Sequence, residues 1–526
     1  MKKDIPYYAF AFSVSPILYL LSTNLGTADP RAAIAPSVLC IVTSVVVYLA
    51  LRGVTKSAQR AGLITFTFFF FLFFYGTIRG GLSVVTLWDF PSMDLRYLIP
   101  IWSACFALYA CYFARTDRQL GVLTGFLNVV VCALVGMSLI RIAAYGSREY
   151  SATPNTQRAD SEATVHGQPA HLPDIYYIIP DAYARADMLE EWYGLDNHGF
   201  LEALRQRGFY VADQSTANYP QTSLSLASSL NLDYIDALTD RLDPLSKNRA
   251  PLYRLVRESK LVSTLHSYGY TFVSFSSGYP ATEIRGADLY LRPIARHVLA
   301  DPFLNAVLDM TPLSALVYRG QVSAYDVHRA RILFALDQLP HISRTGGPKL
   351  VFAHLLSPHQ PFVFTIDGDP IDPSASFSLR HRTWLVQSDE DDYAYGYREQ
   401  LLYMNKKLLE TIDGILASSE VPPIIIIQAD HGPDLLAGDF ARADVEIFRD
   451  LRERFSILNA YYLPDGGAEL LYPDISPVNT FRVVMNHYFG ATYELLPDRC
   501  YNATYARPYD FQDVTDQVRQ AQSPPE

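Results

Sequence analysis

Three apolar runs in the second half of the chain end on residue types that hold cations. "DIYYIIPDAY" delivers Asp181, "VFAHLLSPHQPF" delivers His359, and "PPIIIIQADHG" delivers Asp430 and His431. Carboxylates and imidazoles converging on one place form a site for a divalent cation such as Zn²⁺ or Mn²⁺. Taken singly, some have a plainer reading: an Asp after a strand caps a turn, and a His between prolines is a loop residue. Asp-His-Gly directly behind four isoleucines is the hardest to read that way. A hydroxyl for such a cation to activate stands in "NYPQTSLSLASSLN", residues 218–231, where Thr222 and Ser223 open a helix-like run. At a helix N-terminus the macrodipole and the free N–H groups favour both ionisation of a hydroxyl and binding of an anion. Capping is the plainer role for both residues, and the choice between them stays open.

These residues need a scaffold that brings strand ends together. Residues 174–180, 269–277, 348–357 and 422–430 read as strands, and helical patterns lie between them, among them "GFLEALRQRGFYV", 251–268 and "YGYREQLLYMNKKLLETIDGILAS". Alternation of this kind implies an α/β domain with a mostly parallel sheet covered by helices on both faces. Ligands then bind beyond the carboxyl ends of the strands. Within this frame His354 reads as a core histidine, Arg185 as a surface helix arginine, Asp434 as a cap, and Asn459 in "RERFSILNAYYLP" as a weak substrate contact. The long segments 280–345 and 365–395 show no clear period and are where acceptor recognition is expected.

The first 150 residues are of another kind. Apolar stretches at about 7–23, 32–51, 62–78, 98–114 and 121–143 are each long enough to cross a bilayer core of ~30 Å. The first reads as a retained span, since more spans follow and no small-residue cleavage site is evident. Lys2, Lys3, Arg52, Lys56, Arg60, Arg115 and Arg118 fall on one side of these spans and only Arg31, Arg79 and Arg96 on the other. The basic side faces the cytoplasm, so five spans deliver the remainder outside it. The expected organisation is a five-span transmembrane domain (1–145), a polar linker (146–172) and an extracytoplasmic catalytic domain (173–526). Residues 1–150 carry a net charge of +6 against −11 for the whole chain, leaving an acidic outer part that argues against nucleic acid as a partner. Four of the five cysteines lie in the spans; Cys500 alone follows them and has no partner for an internal disulfide.

The set "DIYYIIPDAYARADML", "NYPQTSLSLAS", "HLLSPHQPF" and "IIIIQADHGPDL" resembles the sulfatase-like branch of the alkaline phosphatase superfamily. The layout of spans followed by an exported domain is similar to lipoteichoic acid synthases and lipid A phosphoethanolamine transferases. The resemblance implies one divalent metal ion (Mn, Zn or Mg) held by Asp181, Thr222, Asp430 and His431. Thr222 would be the nucleophile that carries a phospho-threonine, and His359 would bind the substrate's phosphoryl oxygens. It further implies an enzyme of the inner (cytoplasmic) membrane moving a phospho-alcohol headgroup from a phospholipid donor to an envelope glycan or lipid acceptor. A hydrolase using water, or a catalytically silent membrane scaffold, are the alternatives. "QTSLSLAS" lacks the proline and arginine of the sulfatase C/S-x-P-x-R motif, which disfavours sulfate esters. No histidine follows His431 before His487, so one metal is expected rather than two.

Overall fold

The apolar run "IIIIQ" (424–428) forms a strand buried along its whole length in the computed structural model of the chain. Alternate isoleucines reach opposite faces: Ile425 and Ile427 join one hydrophobic core, Ile424 and Ile426 the other. A strand covered on both sides has no solvated face and therefore no polar alternation. The structure describes residues 5–23, 25, 30–84, 95–116, 118–151, 172–236, 242–293, 302–314, 323–371, 377, 379, 390–433 and 451–520.

The chain divides into two compact units, Met1–Ser151 with Ala295–Ser323, and Ala152–Ile294 with Ala324–Glu526. The first unit contains α1 (Tyr8–Thr23), α2 (Ile34–Thr55), α3 (Ala58–Val84), α4 (Leu95–Arg115) and α5 (Gly121–Ser151). Four of these, α2 to α5, contain segments long and apolar enough to cross a membrane; α1, the first of the five expected spans, is a shorter apolar helix of 16 residues with Pro16 inside it. Helix α5 continues to Ser151, past the boundary at 145 that the polar composition suggested. Residues 295–323, expected in the catalytic domain, cluster with this unit instead. There Phe303 and Val307 join the core of Tyr8, Phe12, Phe69 and Phe73, and the Gly76 N–H donates to Met310 O at 3.0 Å. That part of 280–345 therefore packs on the N-terminal helices.

The second unit is built on a seven-stranded sheet in the order β2-β7-β6-β1-β5-β3-β4. Its strands are β1 (Ile175–Pro180), β2 (Tyr210–Val211), β3 (Thr271–Phe275), β4 (Leu289–Leu291), β5 (Lys349–Leu355), β6 (Ile424–Gln428) and β7 (Asn459–Tyr462). The pairs β6–β1, β1–β5, β5–β3 and β3–β4 are parallel, whereas β7 runs antiparallel to both β6 and β2. Two helices, α6 (Ala186–Tyr193) and α7 (His198–Gln206), follow β1, and α8 (Thr222–Asn231) follows β2. The stretch 251–268 forms two helices, α9 (Ala250–Arg257) and α10 (Lys260–Ser267). The carboxyl ends of β1, β5 and β6 are adjacent, because β1 lies between the other two.

Candidate metal centre

The ladder holds β6 to its end. The Ala429 N–H donates to Leu458 O at 2.9 Å, and the next two residues are Asp430 and His431. Gly432 completes a turn that only glycine fits, since a Cβ there would lie 1.9 Å from the carbonyl oxygen of Glu453. Its N–H donates to Arg454 O at 2.8 Å. The Arg454 side chain returns the contact, with Nη1 donating to Gly432 O at 2.8 Å and Nε to Pro220 O at 2.7 Å. One buried guanidinium thus ties the Asp-His-Gly turn to the loop that leads into α8.

Thr222 is the first residue of α8, and Gln221 before it is extended. The N–H groups of Leu224 and Ser225 donate to Gln221 O, at 3.0 and 2.9 Å, so Thr222 and Ser223 precede the first intrahelical bonds. The Thr222 Oγ1 lies 3.2 Å from His431 Nε2, and His431 Nδ1 lies 2.9 Å from Gly432 O. A carbonyl only accepts, so Nδ1 carries the proton. Burial and the neighbouring Arg454 push the His431 pKa well down, keeping the ring neutral. The Nε2 lone pair therefore accepts from the Thr222 hydroxyl.

Asp181 follows β1, and its backbone is knitted to the end of β5: its N–H donates to Leu355 O at 2.9 Å and its carbonyl accepts from His359 N–H at 3.0 Å. The next residue, Ala182, has φ +60°, a left-handed conformation that costs roughly 1–2 kcal/mol outside glycine. In that conformation its N–H donates to Asp430 Oδ1 at 3.3 Å. The two carboxylates are then shared between two imidazoles. His431 Nε2 is 3.4 Å from Asp430 Oδ2 and 3.7 Å from Asp181 Oδ1, while His354 Nε2 is 3.4 Å from Asp181 Oδ2.

The electrostatics are those of two buried acids. Burial, and then the Asp181 carboxylate, push Asp430 up to about 6. Burial also works against ionisation of Asp181, but the imidazoles beside it, His359 and His354 foremost, outweigh it and hold this carboxyl below the usual range. Among the described residues, Asp181 Oδ1, Asp430 Oδ2 and His354 Nε2 are buried without a hydrogen-bond partner. Orphaned buried acceptors of this sort are costly unless something fills the space between them. Asp181, His354 and Asp430 each offer a ligand atom within 4.8 Å of the others. Hard oxygens and imidazole nitrogens at these separations fit a divalent cation.

The structure thus brings Asp181, Thr222, Asp430 and His431 together. His359 stands at the same strand ends, half-buried, with Nδ1–H donating to Gln360 O at 2.5 Å. Ser223 is turned elsewhere: its Oγ accepts from Arg249 Nη1 at 3.1 Å. Arg185 is a buried residue rather than a surface one, donating to both Asp187 oxygens and to Ser215 O. Asn459 is also buried, and its amide is used by Ser215, Ile475 and Gln428, which makes it a structural strut rather than a substrate contact. Asp434 lies outside the described residues. A cavity of 260 Å³ is lined in part by Arg185, Asn197, His198, Arg205 and Asp213, and by none of Asp181, Thr222, Asp430 and His431.

Two residues of the centre escaped the sequence reading. His354 is not an ordinary core histidine; it sits within β5 opposite Ile179, on the face that Asp181 continues two residues later. Its one signal is a titratable ring in a strand otherwise apolar after Lys349. Arg454 carried no sequence signal, because its partners are backbone carbonyls of distant loops.

No family model matches the chain, and no curated protein matches it. Among solved structures it is similar to the integral membrane lipooligosaccharide phosphoethanolamine transferase A from Neisseria meningitidis, at 11% identity and TM-score 0.39, over 93% of this chain and 95% of that one. It is similar to the periplasmic domain of EptC from Escherichia coli in complex with Zn, at 13% identity and TM-score 0.39, over 68% of this chain and 96% of that one. A third likeness is to BT1596, a 2-O GAG sulfatase, at 14% identity and TM-score 0.40, over 65% of this chain and 74% of that one.

Proposed function

We propose that the chain is a membrane-anchored, metal-dependent phosphotransferase that moves a phospho-alcohol headgroup from a phospholipid to an envelope glycan or lipid through a phospho-threonine on Thr222. The observation that carries this reading is the Thr222 hydroxyl at a helix N-terminus, 3.2 Å from a neutral imidazole nitrogen, beside two buried carboxylates with unpartnered oxygens. Asp181, Thr222, Asp430 and His431 would hold the cation. When bound, it would ease ionisation of the hydroxyl and neutralise charge on the phosphoryl group.

The chain's own residues supply the rest. Thr222 Oγ forms a bond to phosphorus as the bond to the diacylglycerol oxygen breaks, and the acceptor hydroxyl then displaces Thr222 in turn. The free N–H groups of the first turn of α8 face an anion favourably. His359, with Nδ1–H fixed on Gln360 O, has Nε2 left to face a phosphoryl oxygen. The apolar helices of the first unit would keep the site near donor lipids at the outer face of the cytoplasmic membrane, where the catalytic part is exported.

The test is the full chain in vesicles with a headgroup-labelled phospholipid. Intact mass is expected to show a phosphoryl adduct, absent in Thr222→Ala, and label is expected on added envelope glycan or lipid. Label released only as free phospho-alcohol makes the protein a hydrolase. An adduct that survives Thr222→Ala overturns the assignment of the nucleophile.

A further inference from the structure

The turn behind Asp181 and the loop of His359 are both held from one helix, α11 (Glu390–Ser418). Its buried stripe of Tyr393, Tyr397, Leu401, Met404 and Leu408 has helical spacing and packs in the same core as Ile425 and Ile427. Tyr397 and Gln400 on this face are 0% exposed, yet both carry polar heads. Buried polar groups need partners, and these two find them on the loops of the site.

The Tyr397 hydroxyl donates to Ala182 O at 2.8 Å and accepts from Ala184 N–H at 3.0 Å. One oxygen thus closes the turn behind Asp181 and holds Ala182 in the left-handed conformation in which its N–H meets Asp430 Oδ1. Three residues on, Gln400 spends its whole amide on the loop of His359. Nε2 donates to Pro358 O at 3.1 Å and to His359 O at 3.0 Å, while Oε1 accepts from Val363 N–H at 2.7 Å. Carbonyls only accept and the N–H only donates, so the amide has a single orientation. Tyr393 adds a bond from its hydroxyl to Gln360 Oε1 at 3.1 Å. The helix lies hard against this loop, for a Cβ at Gly396 would run into the Phe362 ring. Residues three apart on a helix are neighbours on one face, and the backbone between them does not stretch. The spacing of Tyr397 and Gln400 therefore fixes where the Asp181 turn stands relative to His359.

We propose that Tyr397 and Gln400 are positioning residues. Tyr397 holds Asp181 and Asp430 in the mutual arrangement that a cation needs, and Gln400 holds His359 where it faces a phosphoryl group. This rests on the metal-dependent reading above and adds to it a division of labour along one helix. Two residues that merely supported the fold would move cation and phosphate binding together.

The test uses the full chain in detergent, titrated with Zn²⁺ against a chelator and then, loaded with Zn²⁺, with inorganic phosphate by calorimetry. Tyr397→Phe is expected to weaken Zn²⁺ binding about 10-fold, as loss of an outer partner at a metal centre does. In an Ala182→Gly background the same change should cost less than about threefold, because glycine takes the left-handed conformation unaided. Gln400→Met is expected to keep Zn²⁺ affinity within about twofold and to weaken phosphate binding about 10-fold, the loss of roughly one hydrogen bond. A wild type that binds no Zn²⁺ overturns this inference together with the metal-dependent reading. With the wild type binding, an unchanged Zn²⁺ affinity in Tyr397→Phe, or an equal loss in the Ala182→Gly background, overturns the role of Tyr397 alone. Gln400→Met that weakens both affinities alike, or neither, overturns the role of Gln400, as does a Zn²⁺-loaded wild type that binds no phosphate. If Gln400→Met does not fold, the Tyr397 variants, which lose a single oxygen, keep the test decisive.

Discussion

The two units break the usual rule for proteins in water in opposite directions. In the first, α2 turns Val38, Leu39, Val42, Val46 and Leu49 outward, with Leu39 66% exposed. In the second, apolar residues are packed away on both faces of the sheet, and titratable groups are buried with them: Asp181, Asp430 and His431 are each at most 3% exposed. Apolar surface facing out is stable only in an apolar solvent, which is what a bilayer provides. Carboxylates facing in are stable only with a counter-charge. Each violation therefore points to what the region meets, lipid for one and a cation for the other.

The sharpest way to break this comparison is to place the same charge in both regions. Ile426→Asp puts an unpaired carboxylate in the core of β6 and is expected to cost more than ~5 kcal/mol, leaving no folded sheet unit in thermal or chemical unfolding. Val42→Asp on the exposed face of α2 is expected to leave that unit folded and to cost about 2.5–3.5 kcal/mol in a membrane-insertion assay. If Val42→Asp inserts as well as the wild type, the outward face of α2 does not meet lipid.

A smaller effect probes the buried acids. Asp430 is pushed up to about 6 in the folded protein, above its ordinary value, by burial and by Asp181. A carboxyl with a raised folded pKa destabilises the fold as pH rises from its unfolded value through its folded one. Metal-free Asp430→Asn is therefore expected to match the wild type near pH 4 and to exceed it above about pH 6, by at most ~3 kcal/mol. Saturating Zn²⁺ should reverse that order, since only the wild type keeps the carboxylate ligand. Equal thermal stability of the two metal-free proteins at pH 8 would show that the carboxylates do not strain each other.

Glycines give the mildest contrast. Gly432→Ala forces a Cβ against Glu453 O and is expected to cost about 1–3 kcal/mol and to weaken cation binding. Gly136→Ala in α5 meets nothing within 4 Å and should be neutral or stabilise the helix by up to ~1 kcal/mol. Unfolding midpoints of the two variants separate these outcomes.

Much of the second unit was legible because strands buried on both faces are written as unbroken apolar runs. The same runs marked where Asp181, Asp430 and His431 would emerge, since a ligand at a strand's carboxyl end follows directly on its hydrophobic signal. Thr222 against Ser223 was not legible: adjacent hydroxyls in one turn differ only in which way the helix aims them. His354 was hidden by the very pattern that revealed β5, because a single imidazole in "VFAHLLS" reads as core until the register with β1 is known. Nor did the sequence separate residues 295–323 from the catalytic part, since a short, mostly apolar helix at 302–309 reads alike whether it covers a sheet or a helix bundle.

By itself the sequence determined the two solvents, the alternation of strand and helix, and the residue types available for a cation, because those depend on local period and composition. Only the tertiary structure decided which of those residues meet. The parallel register of β1 with β5 brings His354 beside Asp181, and Arg454 binds the Asp-His-Gly turn to the loop before Thr222. Convergence is a property of distances between segments far apart in the chain, and no local pattern encodes it.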